Sequence, residues 1–257
     1  MLSNVPPPSP KDRFITVYGR KPVLEALADP ALTVDKVIVA DNTRGASMNQ
    51  ILAEARRRDV PVQTASAHRV KVLAGNGRHD QGVLADILAP RMLPLADFLD
   101  RLAPDAGCAV LVLDAVTNPA NVGMVLRTAT AAGLDGVLLP RRGVPAIDPL
   151  VIKASAGVAF RAPVLRSSTA AEGCAALRAA GVTTMGLAGS AGVSLLDDPL
   201  PARIALVLGN ETDGLSADVR AELDATVSIP MHNGVESLNV ASAAAVACYE
   251  LLRRRRG

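Results

Sequence analysis

The sequence has almost no aromatic side chains. Its 257 residues include three Phe, two Tyr and no Trp, so aromatic residues make up only 2% of the chain. Proteins that bind single-stranded nucleic acids stack the bases on aromatic side chains, and each stacked base contributes about 1–3 kcal/mol. The composition therefore argues against an aromatic stacking platform for single-stranded RNA or DNA.

Cysteine and histidine are also scarce. The three cysteines lie far apart in apolar stretches, and we predict that they are buried small side chains rather than metal ligands or nucleophiles. An odd number of unpaired cysteines is typical of a reducing compartment. The three histidines are scattered and form neither a metal-binding set nor a Ser–His–Asp arrangement, so we predict no metal site. The cysteines are Cys108, Cys174 and Cys248.

Neither a long apolar run nor a dominant charge is present. Hydrophobic residues make up 49% and charged residues 20% of the chain, with a formal net charge of +2. No apolar run approaches the length of a membrane span, and the opening MLSNVPPPSP lacks a signal-peptide core. We expect a cytoplasmic protein without membrane contact, in which residues 1–13 are a disordered arm. Residues 1–90 carry a mild basic excess; phosphate contacts need such groups, but a solvated face is the commoner cause.

Apolar and helical patterns divide the chain into two domains. Residues 14–88 alternate short apolar runs with helical segments, which predicts a small α/β domain. Residues 89–106 contain three prolines around one short helical segment and are predicted to be a linker. From 107 to 257 strands and helices alternate, so we expect a mostly parallel sheet covered on both faces. One predicted strand spans Phe160–Leu165, and the last predicted helix spans Leu238–Arg254.

A strand–loop–helix unit within residues 111–133 is the most informative stretch of the second domain. Asn118 is a suitable N-cap, and Pro119 suits the first helical position. Asn121 and Arg127 lie off the apolar face of the predicted helix. A polar helix N-terminus just beyond a strand end is where open α/β sheets bind ligands. The same residues are also compatible with an ordinary unit that carries a solvated arginine.

Further glycines and polar residues follow other predicted strands. Gly209 follows a buried strand and would let the backbone approach a ligand closely. Glu211, two residues later, could form a bidentate pair with Arg127 or simply be exposed. Ser237 is a suitable N-cap for the last helix, and capping alone would explain its presence. Gly189 lies in a glycine-containing loop after a predicted strand, and because no helix begins there, a surface turn is the favoured interpretation.

Together these stretches resemble, in order and spacing, the three motifs of the SpoU (TrmH-like) RNA ribose methyltransferases of the SPOUT superfamily. The segments KASAG at 153–157 and VYGRKPVLEAL at 17–27 are also similar to the family, so the resemblance covers nearly the whole chain after residue 13. Thr212 and Asp213 depart from the commoner G-E-G-x-G form. The motif residues are Asn121, Gly123 and Arg127; Gly209, Asn210, Glu211 and Gly214; and Pro230, Gly234, Ser237, Leu238 and Asn239.

The resemblance implies an α/β fold in which a C-terminal parallel-sheet SPOUT domain, tied in a trefoil knot, follows a small N-terminal RNA-binding domain. It also implies S-adenosyl-L-methionine as the cofactor. The implied catalytic residues are Asn121, Arg127, Glu211, Ser237 and Asn239. The implied cofactor-binding residues are Ala188, Gly189, Gly209, Asn210, Ile229, Met231 and Leu238. The candidate RNA-binding residues are the basic Arg20, Lys21 and Arg78 of the first domain, together with Arg127.

The expected reaction is methyl transfer from S-adenosylmethionine to a ribose 2′-oxygen in structured RNA, with rRNA favoured over tRNA because the N-terminal domain is present. The alternative is a non-catalytic RNA-binding or ribosome-assembly protein, which the intact motif residues disfavour. A guanidinium is a poor proton acceptor, so we assign Arg127 to phosphate binding and alkoxide stabilisation.

The last predicted helix has a face of small side chains, and this face has two interpretations. It is either buried within its own domain or the interface of a homodimer, since two-fold pairing is the commonest way to cover such a face. In the family, pairing of this kind brings Arg127 towards the cofactor pocket of the partner. The small residues are Ala241, Ala244, Ala245 and Cys248.

Overall fold

The computed structural model describes residues 12–75, 80–103, 105–189 and 191–256, and the chain divides into two compact units. Along the chain, the main boundary between the units lies between Pro90 and Arg91. The predicted arm, residues 1–13, falls almost entirely outside the described residues. Among the helices that the structure describes, none is long and apolar enough to cross a membrane.

The first unit is a small α/β domain, as its alternating pattern predicts. Its elements are β1 (Phe14–Tyr18), α1 (Arg20–Ala28), β2 (Val34–Ala40), α2 (Ala46–Arg57), β3 (Val62–Ala65), α3 (Ala67–Ala74) and β4 (Val83–Leu88). The strand order is β1-β4-β2-β3, with β4 antiparallel to β1 and β2, and β3 parallel to β2. No local sequence pattern predicts β1, because its partner β4 lies about 70 residues further along the chain.

The second unit is built on a parallel sheet, which confirms the predicted fold class. Its strands are β5 (Leu93–Pro94), β6 (Cys108–Leu113), β7 (Gly136–Pro140), β8 (Val164–Ser167), β9 (Thr183–Leu187), β10 (Arg203–Leu208) and β11 (Ala225–Val227). The strand order is β11-β9-β10-β6-β7-β8-β5, and every pairing is parallel. All six residues of β6 are buried, which requires cover on both faces of the sheet.

Helices supply that cover. They are α4 (Leu95–Arg101), α5 (Pro119–Ala131), α6 (Pro149–Ala154), α7 (Ala170–Ala179), α8 (Ala217–Arg220) and α9 (Val240–Arg256). Side chains of α4, α7 and α8 pack with alternate residues of β6 and β10 in one apolar cluster. Helix α9 packs on α5 and on β10, so it returns from the sheet edge at β11 towards the centre of the unit.

Two predicted boundaries differ from the structure. The predicted linker, 89–106, is not a free connection, because β5 pairs with β8 and Leu95 joins the apolar cluster under α7. Residue 104 itself lies outside the described residues. The predicted strand Phe160–Leu165 is also wrong at its start, because Val158–Arg161 forms a 3₁₀ turn. Pro163 has no N–H to donate to a sheet ladder, and the strand begins after it, at Val164.

The three cysteines are buried and unpaired, as predicted. Burial raises the pKa of the Cys108 thiol to about 11, and it raises the pKa of the Cys174 and Cys248 thiols to about 12. Because the thiolate is the reactive form of cysteine, these side chains act as small apolar groups of the core.

The basic end of α9 is fixed by ion pairs and carbonyl contacts. The Glu250 carboxylate is 8% exposed and accepts hydrogen bonds from Arg253 at 2.8 Å and from Arg254 at 2.6 Å. Arg254 also donates to the carbonyl oxygens of Leu195 and Leu196, at 2.9 and 3.2 Å. The arginine run at the C-terminus therefore anchors the helix to the loop after β9.

We predict that Glu250→Gln destabilises the protein in a pH-dependent way. The hydrogen bond from Arg253 holds the pKa of the Glu250 carboxyl below its ordinary value, and that from Arg254 adds to the effect. A lowered pKa in the folded state contributes stability above the unfolded pKa, about 4.3, and this is lost as the pH falls through the folded value. We expect the variant to lose about 1 kcal/mol at pH 7, since Arg253 is largely exposed.

Urea unfolding of both proteins from pH 7 downwards measures this difference. The gap between wild type and variant should narrow as the pH falls below about 4.3. Glu25→Gln is the matched control, because Glu25 forms only an exposed pair with Lys21 at 3.9 Å. A gap that stays constant with pH would show that Glu250 does not stabilise α9 through its charge.

Candidate functional site

The carboxyl ends of β9, β10 and β11 lie at one edge of the sheet, because the three strands are parallel neighbours. The loops after these strands and the stretch before α9 enclose a pocket of about 660 Å³. Small-molecule sites usually measure about 300–1,000 Å³. All seven positions predicted to bind the cofactor line this pocket, namely Ala188, Gly189, Gly209, Asn210, Ile229, Met231 and Leu238.

The wall of this pocket combines apolar and charged side chains. The apolar part provides surfaces on which a planar ring can pack, and includes Leu187, Leu208, Ile229, Leu238 and Val240. Three charged residues also line the pocket, namely Glu211, Arg220 and Glu236. Of these, only Glu211 was predicted from the sequence. An apolar pocket with a few convergent polar groups suits a nucleoside that also carries charged groups.

A chain of hydrogen bonds joins the three motifs beside this pocket. Asn121 is only 4% exposed, and its Nδ2 donates to Oε1 of Glu211. Its Oδ1 accepts a hydrogen bond from Nδ2 of Asn239 at 3.3 Å. Of the two alternatives for Glu211, pairing with Arg127 is therefore wrong: the carboxylate contacts the amide of Asn121, and Glu211 as a residue is exposed.

The N-terminus of α5 is positioned as the sequence predicts. The Asn118 side chain accepts a hydrogen bond from the Ala120 N–H at 2.9 Å, and Pro119 occupies the first turn. This cap fixes the start of the helix and therefore the direction in which Asn121 points.

Asn210 holds the second motif in place. Its Oδ1 accepts from the Thr212 N–H at 2.8 Å, and its Nδ2 donates to the Ala115 carbonyl oxygen at 3.0 Å. The first contact closes the loop after β10, and the second ties that loop to the end of β6. Asn210 therefore shapes the pocket wall that it also lines.

Two glycines of the motifs are required by close backbone or helix contacts. A Cβ on Gly123 would lie 2.6 Å from the Ala154 Cβ, so this glycine lets α5 approach the end of α6, where the KASAG segment begins. A Cβ on Gly209 would lie 2.4 Å from the carbonyl group of Gly214. The close approach predicted at Gly209 is thus an approach to its own loop, where Asn210 and Gly214 pair.

The N-cap predicted for the last helix is wrong. Helix α9 begins at Val240 rather than Leu238, and Oδ1 of Asn239 accepts a hydrogen bond from the Ala241 N–H at 2.9 Å. Asn is as good an N-cap as Ser, so the cap can lie two residues later. Ser237 is exposed, lines the pocket and has no capping role.

Arg127 stands apart from the other predicted catalytic residues. Its side chain is exposed and does not line the pocket. Within the described part of the chain, it makes no hydrogen bond or ion pair. The structure therefore brings Asn121, Glu211, Ser237 and Asn239 to the pocket and its hydrogen-bonded border, but not Arg127.

The predicted RNA-binding residues of the first unit are only partly described. Arg20 borders an open cleft of about 690 Å³, together with Asn42, Thr43, Arg44 and Gln81. Lys21 is exposed beside Glu25, whereas residues 78 and 79, which include the predicted Arg78, lie outside the described residues. Arg44 was not among the residues predicted from the sequence, although it follows a predicted strand in a polar loop.

Three of the four residues in the small face of α9 are buried within their own chain. Ala244 and Cys248 are fully buried and Ala241 is 8% exposed, because α9 packs on α5. The structure thus favours the first interpretation for these three residues, whereas Ala245 is only partly buried, and the homodimer stays a prediction. The exposed apolar side chains of these two helices are instead Met124, 41% exposed, and Tyr249, 54% exposed.

In the described ranges, no group of three or more His, Cys, Asp or Glu side chains is placed to hold a metal ion. The chemistry available at the pocket comes from amide, carboxylate, hydroxyl and guanidinium groups. These groups orient, hydrogen-bond and balance charge.

Two family models match the chain. Residues 109–249 match the SpoU rRNA Methylase family, and residues 16–93 match the RNA 2′-O ribose methyltransferase substrate binding domain. The 23S rRNA (guanosine-2′-O-)-methyltransferase RlmB of Xanthomonas axonopodis pv. citri is 35% identical over 242 residues, which cover 94% of this chain and 97% of that protein. A Staphylococcus haemolyticus protein with the provisional name TrmH family tRNA/rRNA methyltransferase is 33% identical, with 94% and 96% covered.

A solved structure has the same fold. The AdoMet-bound rRNA methyltransferase from Sinorhizobium meliloti aligns with a TM-score of 0.63 and 24% identity, over 94% of this chain and 88% of that chain. At this identity the likeness speaks for the fold alone. Family membership is shown by the family model, which matches residues 109–249 and so more than half of the sequence. It is also shown by the relatives above 30% identity. The chain belongs to the SpoU rRNA methylase family.

Proposed function

We propose that the protein transfers a methyl group from S-adenosylmethionine to a ribose 2′-oxygen in rRNA. The observation that carries this proposal is the hydrogen-bonded chain Glu211–Asn121–Asn239, which borders a pocket lined by every predicted cofactor position. Family membership supports the same reaction, as does the name of the relative with 35% identity. A non-catalytic role would not require these three motifs to meet at one pocket.

The pocket fits S-adenosylmethionine in size and chemistry. Leu208, Ile229 and Leu238 would pack against the adenosine part, while the loops after β9 and β10 present backbone groups. Gly189 lies where a Cβ would come within 3.0 Å of the Glu236 carbonyl oxygen, so a side chain there would crowd the wall. When bound, the sulfonium group of this cofactor supplies an activated methyl group.

The protein's own residues would then orient the acceptor ribose. Asn121 is held by Glu211 and Asn239, so its amide has a fixed direction, and Ser237 offers an exposed hydroxyl at the pocket. Alignment of two reactants can lower a barrier by roughly 7 kcal/mol or more. Arg127 would bind the adjacent phosphate and stabilise negative charge on the 2′-oxygen.

The substrate is assigned to rRNA rather than tRNA on two grounds. The relative with 35% identity is named for 23S rRNA, and the chain has a separate substrate-binding domain of the same family. The Staphylococcus relative is named for both RNA classes, so tRNA is the second candidate. We propose a cytoplasmic location for the enzyme, because its proposed rRNA substrate is made available there.

We also propose that the second unit contains a trefoil knot. The chain leaves β11 at the sheet edge and continues into α9, which packs on α5 and β10. It therefore passes the ends of β9 and β10 before the last helix. A knot of this kind requires such a return of the C-terminal segment.

The proposed activity predicts a specific effect of Ser237→Ala. The hydroxyl lines the pocket and does not cap α9, so its loss should leave the fold intact and lower the methylation rate about tenfold or more. The assay follows labelled methyl transfer to rRNA and to tRNA, with mapping of 2′-O-methyl positions. Ser242→Ala, at an exposed position on α9, is the matched control. No transfer to either RNA by the wild type would end the proposal, and equal rates in both variants would remove Ser237 from the site.

The first unit offers a cationic cleft for the RNA. Arg20 donates to the carbonyl oxygens of Gln81 and Arg44, at 3.5 and 3.3 Å, and Arg44 donates to the carbonyl oxygens of Asp41 and Thr43. Within the described residues, no carboxylate pairs with either guanidinium. Two fixed positive charges without a counter-charge suit RNA phosphates.

We predict that replacing both Arg20 and Arg44 with Gln weakens RNA binding without changing cofactor affinity. Each lost phosphate contact should reduce the slope of log affinity against log salt by about 0.7–0.9. Filter binding at several salt concentrations measures the slope, and calorimetry measures the affinity for the cofactor. Arg56→Gln, at an exposed position on α2, is the control. A slope equal to that of the wild type would show that RNA does not use this cleft.

We propose further that the enzyme is a homodimer whose active sites are shared. Arg127 is exposed and lies outside its own pocket, three residues after the exposed Met124 on α5. Positions three apart share one side of a helix, and Tyr249 adds an exposed ring on the neighbouring α9. In a dimer whose second copy covers this apolar surface, Arg127 of the first copy would lie near the pocket of the second copy.

Complementation between two inactive chains tests the shared site. Arg127→Ala and Asn239→Ala variants are unfolded, mixed in equal amounts and refolded together, with each variant alone as a control. Random pairing should restore about one quarter of the wild-type activity, because half of the dimers are mixed and each has one intact site. Mixed dimers without activity would show that both residues act within one chain. A monomer in sedimentation would contradict the dimer itself.

A further inference from the structure

Two charged side chains of the pocket have no role in the proposed reaction. Arg220 and Glu236 both line it, and neither side chain forms a hydrogen bond or an ion pair with any described residue. Glu211, the third charged group, already accepts a hydrogen bond from Asn121. The pocket therefore presents one positive and two negative groups, of which one of each sign has no partner within the described chain.

These two groups belong to different parts of the pocket wall. Arg220 ends α8, and its Nη2 lies 3.8 Å from the position that a Gly214 Cβ would occupy, beside the loop after β10. The backbone carbonyl oxygen of Glu236 lies 3.0 Å from the corresponding position at Gly189, so the main chain of this residue borders the loop after β9. A ligand that fills the pocket can therefore meet the Arg220 guanidinium beside the loop after β10, and the residue that carries the Glu236 carboxylate on another part of the wall.

The charges of the pocket complement those of S-adenosylmethionine. The methionine part of this molecule carries a carboxylate and an ammonium group, and its sulfur carries a second positive charge. We propose that Arg220 binds the carboxylate and that Glu236 binds the ammonium group, an assignment that rests on the proposed function. An arginine is suited to this task because its planar fork can bind a carboxylate with two parallel hydrogen bonds.

This contact positions the cofactor and does not contribute to the chemical step. The amino-acid part is unchanged when the methyl group leaves, so Arg220 holds substrate and product equally. Loss of such uniform binding raises KM and leaves kcat unchanged. Arg220→Ala should accordingly raise the KM for S-adenosylmethionine while methylation at saturating cofactor continues at the wild-type rate.

Calorimetry with two nucleosides tests the assignment without catalysis. S-adenosylhomocysteine and 5′-methylthioadenosine both have a neutral sulfur, but only the former carries the amino-acid part. Arg220→Ala should lower the affinity for S-adenosylhomocysteine about tenfold and leave the affinity for 5′-methylthioadenosine unchanged. Arg220→Lys should retain part of the affinity, and Glu236→Gln should show the same selectivity as Arg220→Ala. Arg101→Ala, at an exposed position outside the pocket, is the control.

Each outcome of this experiment decides the inference. If Arg220→Ala lowered the affinities for both nucleosides equally, Arg220 would shape the pocket rather than bind a carboxylate. Unchanged affinity for both would show that the carboxylate lies elsewhere, and equal binding of the two nucleosides by the wild type would show that the amino-acid part is not recognised. A wild type that binds neither nucleoside overturns the proposed function itself, and this inference with it.

Discussion

The arrangement of the three motifs at the border of the pocket depends on the buried amide of Asn121. This side chain is nearly inaccessible to water, so both of its polar atoms need partners, since an unsatisfied buried group costs about 1–3 kcal/mol. The partners come from Glu211 and Asn239, which lie 90 and 118 residues further along the chain. One amide therefore fixes the relative positions of the loop after β10 and the N-terminus of α9. Any change that moves either segment leaves a buried amide without a hydrogen bond.

The surrounding contacts are arranged to keep that amide in place. Asn118 caps α5 immediately before Asn121, and the missing side chain of Gly123 allows α5 to lie against α6. Asn239 has two roles, because its Nδ2 contacts Asn121 while its Oδ1 caps α9. The start of α9, the position of the loop after β10 and the border of the pocket are therefore coupled. The motif residues are important to the fold and to the proposed chemistry for the same reason.

Sequence patterns predicted the elements that depend on local periodicity. The alternation of strands and helices, the parallel sheet and the cap at Asn118 all follow from residues close together in the chain. The resemblance to a family supplied the pocket positions, which no local pattern would have grouped. The assignments that failed depend on distant partners. Glu211 had two candidate environments, and only the folded chain shows that it contacts Asn121.

Other failures arose where two local signals were nearly equal. Ser237 and Asn239 are both good N-caps, and the choice between them depends on the contact that Asn239 makes with Asn121. The short strand β5 has two residues, one of them Pro94, so a proline-rich linker was the better prediction from sequence. The small face of α9 suggested an external partner, but α5 of the same chain covers most of it.

The two polar motif residues of α5 have opposite environments, and their spacing explains this. Arg127 follows Asn121 by six positions, and at 3.6 residues per turn the two side chains point to different sides of the helix. The same helix can therefore bury Asn121 against its own pocket and expose Arg127 to solvent. An arginine required for chemistry at that pocket cannot easily turn back to it from the far side of a capped, packed helix. A site completed by the α5 of a second copy meets this geometric constraint without any change in the fold of either chain.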